Sequence, residues 1–348
     1  MRFINFSVKM LAGFGSLSEV TSLCKHVSFG RKVALLTGKT THEVAGKRVQ
    51  EILSREGFDV AAYYTGAKAQ LKDAQKLLEG MKADGRTDGL IAVGGGKVID
   101  TAKFIAAGAN MPLAVVPTNL SSDAIASPWS VLWEGDKSTA HRTVAPSGII
   151  GDYDILKNQP AHFVAAGIGD YIAKVSCLYD WRLAYFLKGE TYSGVAARIA
   201  KSNLAMVFKH IRLIKERHRL GLEVFFHNLV QDGYLMELAN TTRVAGGSEH
   251  LFCFALTDLT GKGLHGELCG VGTVMMTFLQ GRDWRRVREV LREVDGPVDA
   301  QGLGVKADDI VKALMKAHTM RSWYTILGEE DMSEDAADRL GRHTGVID

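Results

Sequence analysis

Cysteine is scarce in this 348-residue chain: Cys24, Cys177, Cys253 and Cys269 are the only four, and no two form a Cys-x-x-Cys pair. A disulfide scaffold is not indicated, and a reducing cytosol is the simplest setting. Long apolar runs are also missing. No stretch of about 18 charge-free apolar residues occurs, so no transmembrane helix is expected. The opening segment MRFINFSVKMLAGFGSLSEV lacks the uninterrupted apolar core of a signal peptide. A cytoplasmic protein without a membrane partner is expected. Charge of one sign is lacking too: 42 Lys and Arg oppose 39 Asp and Glu, leaving +3 with no basic run. A nucleic-acid partner would need a clustered basic patch, so none is expected. Internal repeats and low-complexity tracts are absent.

What is present is globular. Hydrophobic residues make up 46% and charged residues 23%, with length for roughly two domains and a sizeable core. Up to about residue 155, short apolar runs alternate with helix-like stretches. Lys32 to Leu36, Phe58 to Tyr64, Gly89 to Val93 and Leu113 to Val116 read as strands. His42 to Arg55, Leu71 to Ala83 and Lys97 to Ala107 read as helices. That alternation suggests a parallel sheet flanked by helices. From about 156 to 348 the texture is helical throughout. Leu268, Val271, Met275 and Phe278, for example, recur at helical spacing. The expected fold is therefore an N-terminal α/β domain, 1–155, and an all-α domain, 156–348.

The first chemical signal is Gly94-Gly95-Gly96-Lys97-Val98-Ile99-Asp100, between a strand and a helix. Glycines allow close approach of the backbone to a ligand, and free amides at a helix start favour an anion. The full G-x-G-x-x-G fingerprint is not there, since Ile99 takes the third glycine's place, and neither is a Walker loop. The residues alone leave a phosphate loop and a plain tight turn both open. Pro117-Thr118-Asn119-Leu120-Ser121-Ser122-Asp123 follows the next strand, at the same carboxyl edge, where open parallel sheets bind ligands. A capped helix start would use the same Ser and Asp residues. The second strand ends Tyr63-Tyr64-Thr65-Gly66, without the carboxylate that grips a ribose hydroxyl in NAD-selective enzymes, which admits NADPH.

Three polar groups in the helical half sit in small-residue surroundings: Asp170 in Ala-Ala-Gly-Ile-Gly-Asp-Tyr, His250 in Gly-Gly-Ser-Glu-His, and His265 in Leu-His-Gly-Glu-Leu-Cys-Gly. Two histidines and a carboxylate suit a divalent metal with a position left for substrate, although histidines near helix ends are often structural. His210, His218 and His227 read as ordinary helix residues, and Cys253 and Cys269 as small buried hydrophobes.

Taken in order, these motifs resemble the sn-glycerol-1-phosphate dehydrogenase family, within the dehydroquinate synthase-like and iron-containing alcohol dehydrogenase superfamily. The resemblance runs from about Leu35 to about Arg286. It includes Glu43-Val44-Ala45-Gly46, Gly94 to Lys103, Pro117 to Pro128, Ala165 to Asp170, Glu249-His250, and Leu264-His265-Gly266-Glu267 to Met276. It implies a Rossmann-like domain followed by a helical one, with the active site in a cleft and a homo-oligomeric assembly. Asp170, His250 and His265 would hold zinc or another divalent ion. Gly95, Gly96, Lys97 and Val98 would meet the pyrophosphate of NAD(H) or NADP(H), assisted by Thr118 and Ser121. Ser127 would lie near the nicotinamide and Asp123 would face the substrate.

The implied reaction interconverts a small phosphorylated ketone and alcohol, most like dihydroxyacetone phosphate and sn-glycerol 1-phosphate. The chain departs from the family twice. Ser122-Asp123-Ala124 replaces His-Asp-Gly, and Phe254 replaces a substrate-side histidine, removing a donor, an acceptor and a proton carrier. Asp123 or a water on the metal is then the candidate proton carrier. The competing readings are a different small ketone or aldehyde, a sugar-phosphate cyclase, and an inactive nucleotide-binding homologue.

Overall fold

In the computed structural model, residues 8–85, 87–135 and 137–348 are described. The chain folds into two compact units, and they do not divide at the one expected point, 155/156. The first takes the chain up to Pro160 together with Arg217–Glu237, and the second takes Ala161–Glu216 with Leu238–Asp348. Packing explains the exchange. Phe226, on the long helix Arg219–Ala239, fills the space a side chain on Gly151 would need, 2.5 Å from that missing Cβ. Gly233 on the same helix lies against the Ala126 backbone. Helical periodicity reports which face is buried, not which unit buries it.

The first unit is built on a parallel sheet of β1 (Lys9–Gly13), β2 (Lys32–Thr37), β3 (Asp59–Tyr64), β4 (Gly89–Gly94), β5 (Leu113–Pro117) and β8 (Gly148–Asp152), in the order β1-β8-β5-β4-β2-β3. The four expected strands are all there. Two further parallel strands, β1 and β8, join them, along with a separate antiparallel hairpin of β6 (Trp129–Glu134) and β7 (Lys137–Arg142). Every residue of β4, β5 and β8 is buried. Because successive side chains point to opposite faces, both faces of these strands are covered, as in an interior parallel strand. The edge strand β3 instead alternates between exposed and half-buried residues.

Connectivity locates the binding edge. From β2 the chain steps outward to β3, then crosses back to β4 on the other side of β2 and continues to β5. The junction of β2 and β4 is thus the switch point, where open sheets take ligands beyond the strand ends. Thr37, the last residue of β2, donates its hydroxyl to the Val93 carbonyl at 2.8 Å. Among the described residues of either unit, no helix is long and apolar enough to cross a membrane.

Every regular element of the second unit is helical. Its decisive feature is a crossing of Ala161–Ile172 with His265–Leu279, where backbone meets backbone. A Cβ on Gly266 would lie 1.8 Å from the Ala166 carbonyl oxygen, and one on Gly169 would lie 2.2 Å from the Gly266 oxygen. Only glycine permits this approach.

Candidate active site

At the sheet edge, the two sequence motifs are neighbours: the Thr118 amide donates to the Gly94 carbonyl at 3.1 Å. The helix Gly96–Ala109 starts with Gly95 in an extended conformation and no side chain capping it. Its first amides therefore point outward with the positive end of the helix dipole, a fit for a pyrophosphate. A Cβ on Gly95 would meet the Asn119 amide nitrogen at 2.6 Å, so the glycine is what lets the two loops touch.

Lys97 is exposed and donates to the Ala67 carbonyl at 3.3 Å. Val98 is buried, its amide held by the Gly95 carbonyl. Thr118 is buried beside the loop. Ser121 donates to Asn119 Oδ1 at 2.8 Å, and Ser122 Oγ accepts from the Ala124 amide, capping the turn that carries Asp123. Ser127 is buried with its hydroxyl 3.2 Å from Lys103 Nζ. Lys103 was not singled out in the sequence. Fully buried, it also donates to Asp100 Oδ1 and the Trp129 carbonyl, locking the helix to the 127–129 segment. A lysine on an otherwise apolar helix face was the available signal.

In the second unit, Asp170, His250 and His265 converge as expected, and Cys269 joins them, with one potential ligand atom from each lying within 4.8 Å of the others. The expectation that Cys269 is only a small buried hydrophobe is thereby corrected: it is buried, yet its sulfur is 3.6 Å from His265 Nε2. His250 Nε2 and His265 Nε2 lie 3.5 and 3.7 Å from Asp170 Oδ1. Donors bound at about 2.0–2.3 Å to one tetrahedral ion stand roughly 3.4–3.6 Å apart, so these separations fit a shared divalent cation.

The surroundings fit as well. Glu249, fully buried, holds His250 Nδ1 at 2.9 Å and accepts from the Gly247 amide at 2.7 Å, which turns Nε2 toward the cluster. Cys253 Sγ lies 3.2 Å from His265 Nδ1 and plays the matching part. Of the four, His265 alone is open, with 45% of its side chain exposed, so an approach from solvent exists.

The electrostatics follow from that crowding. Burial works against charge on His250, but Asp170 and Glu249 outweigh it and raise the imidazole to about 10. Desolvation also opposes charge on His265, more weakly given its exposure, and Cys253 and Asp170 raise it to about 9. The Asp170 carboxyl, although buried, is held below the usual range by the two histidines. A site that collects positive charge so strongly is one a metal cation can occupy in place of protons.

Phe254 stands at the rim. Its ring is 6.0 Å from the His265 ring, near parallel to it, and 6.1 Å from the His250 ring. The Arg321 guanidinium sits 4.5 Å above the Phe254 ring. Asp123 belongs to the first unit.

Comparison with known proteins settles the family. Residues 12–160 match the iron-containing alcohol dehydrogenase family. A curated glycerol-1-phosphate dehydrogenase (NAD(P)+) of Hyperthermus butylicus is 40% identical over 348 residues, 99% of each chain. The chain belongs to the glycerol-1-phosphate dehydrogenase family. A second member, from Pyrococcus furiosus, is 36% identical over the full length of both chains. Among solved structures, the fold matches glycerol dehydrogenase from Schizosaccharomyces pombe with a TM-score of 0.80, 21% identity and coverage of 99% of this chain and 90% of that one. A probable glycerol dehydrogenase from Sinorhizobium meliloti gives 0.79, 20% identity and coverage of 97% and 98%. As a member of this family the chain is an NAD(P)-dependent, metal-dependent oxidoreductase.

Proposed function

We propose that this enzyme reduces dihydroxyacetone phosphate to sn-glycerol 1-phosphate with NADH or NADPH. The observation that carries the reading is the convergence of Asp170, His250 and His265 in a chain 40% identical to a protein named for that activity. The two bound groups, when present, supply the hydride and a Lewis acid that polarises the ketone oxygen.

The chain's residues do the rest. Gly95, Gly96, Lys97 and Val98 offer the loop and helix start for the cofactor's pyrophosphate, with Thr118 and Ser121 beside them. Ser127, anchored by Lys103, steadies the segment nearest the nicotinamide. Asp170, His250 and His265 hold the cation, Glu249 fixes the tautomer and direction of His250, and Asp123 and Phe254 meet the substrate. With no histidine at 254, Asp123 is the side chain that would pass the proton.

A cytosolic setting agrees with four free thiols. A homo-oligomer agrees with the exposed apolar residues Phe186, Leu187, Val195 and Met206 on neighbouring helices. The test follows reduced-nicotinamide absorbance with metal-loaded enzyme and dihydroxyacetone phosphate. Stoichiometric oxidation of cofactor, lost with chelator, supports the reading and excludes a cyclase, which shows no net change. Absence of oxidation with intact cofactor binding overturns the substrate.

A further inference from the structure

We propose that Asp180 is a positioning residue for the metal site, its carboxylate pinning the helix that carries His250 to the helix that carries His265. The inference rests on the metal-site reading above and adds to it a residue outside the ligand set and outside the groups bonded to those ligands.

The hydrogen bonds are the first argument. Asp180 lies fully buried on the helix Lys174–Lys188. Its Oδ2 accepts from the Ser248 amide at 2.8 Å and from the Ser248 hydroxyl at 2.6 Å. Its Oδ1 accepts from the Gln280 side-chain amide at 3.2 Å and from the Ile326 backbone amide at 2.9 Å. An ionised carboxylate has about four lone-pair sites, and four donors meet them here. Burial, and after it the neighbouring Glu249, push the Asp180 carboxyl up to about 6, opposed by the bonds from Ser248 and Ile326. Above that pH the group is ionised and accepts from all of them.

What those donors belong to gives the role. Ser248 opens the helix Ser248–Thr260, and its amide is one of the first four that a helix leaves unpaired. A carboxylate at that place also faces the positive end of the helix dipole. His250 follows two residues later, so the anchor at Ser248 fixes where the helix starts and where the imidazole is aimed. Gln280 ends the helix His265–Leu279, which carries His265 and Cys269, and it also donates to the Ser176 carbonyl at 3.2 Å. One carboxylate thus joins the N-terminus of one ligand-bearing helix to the C-terminus of the other.

Close packing stiffens the joint. A Cβ on Gly247 would lie 2.8 Å from Asp180 Oδ2 and 2.7 Å from Cys177 Cα, so glycine is what admits the carboxylate to the helix start. A Cβ on Gly272 would lie 3.0 Å from the Glu249 carbonyl oxygen, which places the two ligand-bearing helices in backbone contact beside His250. A small shift at Ser248 is therefore passed to the ligands rather than absorbed.

The test uses the full chain as Asp180→Asn, Ser248→Ala and the double variant, with Thr277→Val as control. Asparagine keeps the shape but offers a single acceptor oxygen and turns an NH2 group toward donors. Thr277 lies on the same helix as His265, its hydroxyl buried without a partner, so its loss alters that helix without touching the joint. Zinc affinity is read by competition against a chromophoric chelator, ligand geometry from the visible bands of cobalt-substituted protein, and cofactor binding from nicotinamide fluorescence. Asp180→Asn should weaken zinc about tenfold and alter the cobalt bands, and Ser248→Ala should do the same to a smaller degree. The double variant should lose no more than Asp180→Asn alone, because the serine hydroxyl acts through the carboxylate. Cofactor binding should be unchanged throughout, and Thr277→Val should keep wild-type zinc affinity. Asp180→Asn with a lowered melting temperature but wild-type zinc affinity and cobalt bands makes the residue merely structural and overturns the proposal. Strictly additive losses in the double variant overturn it too. Should Asp180→Asn fail to fold, Ser248→Ala decides alone, and wild-type zinc affinity there overturns the proposal. A wild-type chain that takes up neither zinc nor cobalt overturns the metal-site reading itself, and the proposal with it.

Discussion

Adding one methyl group at the helix crossing should disable the metal site while leaving the fold. In Gly266→Ala the new Cβ would stand 1.8 Å from the Ala166 oxygen, 2.6 Å from its carbon and 3.1 Å from Asp170 Cβ. The first two atoms are backbone and cannot swing aside. Carbon and oxygen in contact stand about 3.3 Å apart, so the helices must part by more than about 1 Å. The overpacking itself should destabilise by about 1–3 kcal/mol, which a chain of this size survives. The metal site should not survive it, because Asp170 and His265 ride on the two helices forced apart, and ligand distances tolerate only about 0.2 Å. Zinc affinity should fall by about a hundredfold or more, read by competition against a chromophoric chelator alongside thermal unfolding. Gly80→Ala is the control. On the helix Leu71–Ala83, its Cβ would meet nothing within 4 Å, so it should stabilise by about 0.4–1 kcal/mol and leave zinc binding unaltered. Wild-type zinc affinity in Gly266→Ala would refute the claim that this crossing sets the ligand geometry.

Further expectations concern the same cluster. Glu249→Gln keeps the shape but removes the charge behind His250, and should weaken metal binding about 10–100-fold in the same competition assay. Cobalt-substituted enzyme should show thiolate-to-cobalt absorption in the near ultraviolet, lost in Cys269→Ser and kept in Cys253→Ser; identical spectra in all three would remove Cys269 from the ligand set. Since His250 and His265 are raised to about 10 and about 9 in the metal-free protein, bound protons must leave when a cation enters. Metal affinity should therefore rise with pH up to about 10, with proton release visible in buffer-dependent calorimetry. By the same linkage, the stability these protons give the metal-free protein is complete below 6.5 and lost as pH rises through 9 to 10. A metal affinity that does not change with pH would contradict it.

Much of this was legible in the residues, for reasons that can be named. The runs that become β2, β4 and β5 are apolar because strands covered on both faces leave little room for polar side chains, while the edge strand β3 shows itself through the β-formers Val60, Tyr63 and Tyr64. β1 and β8 were not, their few apolar residues being bounded or interrupted by Lys9, Gly13, Gly148 and Gly151. Asp170, His250 and His265 stood out as polar residues amid glycines, and the crossing shows why Gly169 and Gly266 are there. Cys269 follows His265 by one helical turn, a spacing shared with countless core cysteines, so only the third dimension distinguishes it. Arg321 is far from Phe254 in sequence and meets it through tertiary packing alone. Likewise, the assignment of 217–237 to the first unit depends on Phe226 finding Gly151, which no local pattern records.

The most direct test mixes zinc-loaded enzyme with NADPH or NADH and dihydroxyacetone phosphate, then isolates the product and determines its configuration. Rapid cofactor oxidation yielding sn-glycerol 1-phosphate, abolished by chelator and by Asp170→Ala, His250→Ala or His265→Ala, is the expected result. Oxidation that survives all three substitutions, or none at all while cofactor and zinc are both bound, would contradict the central claim.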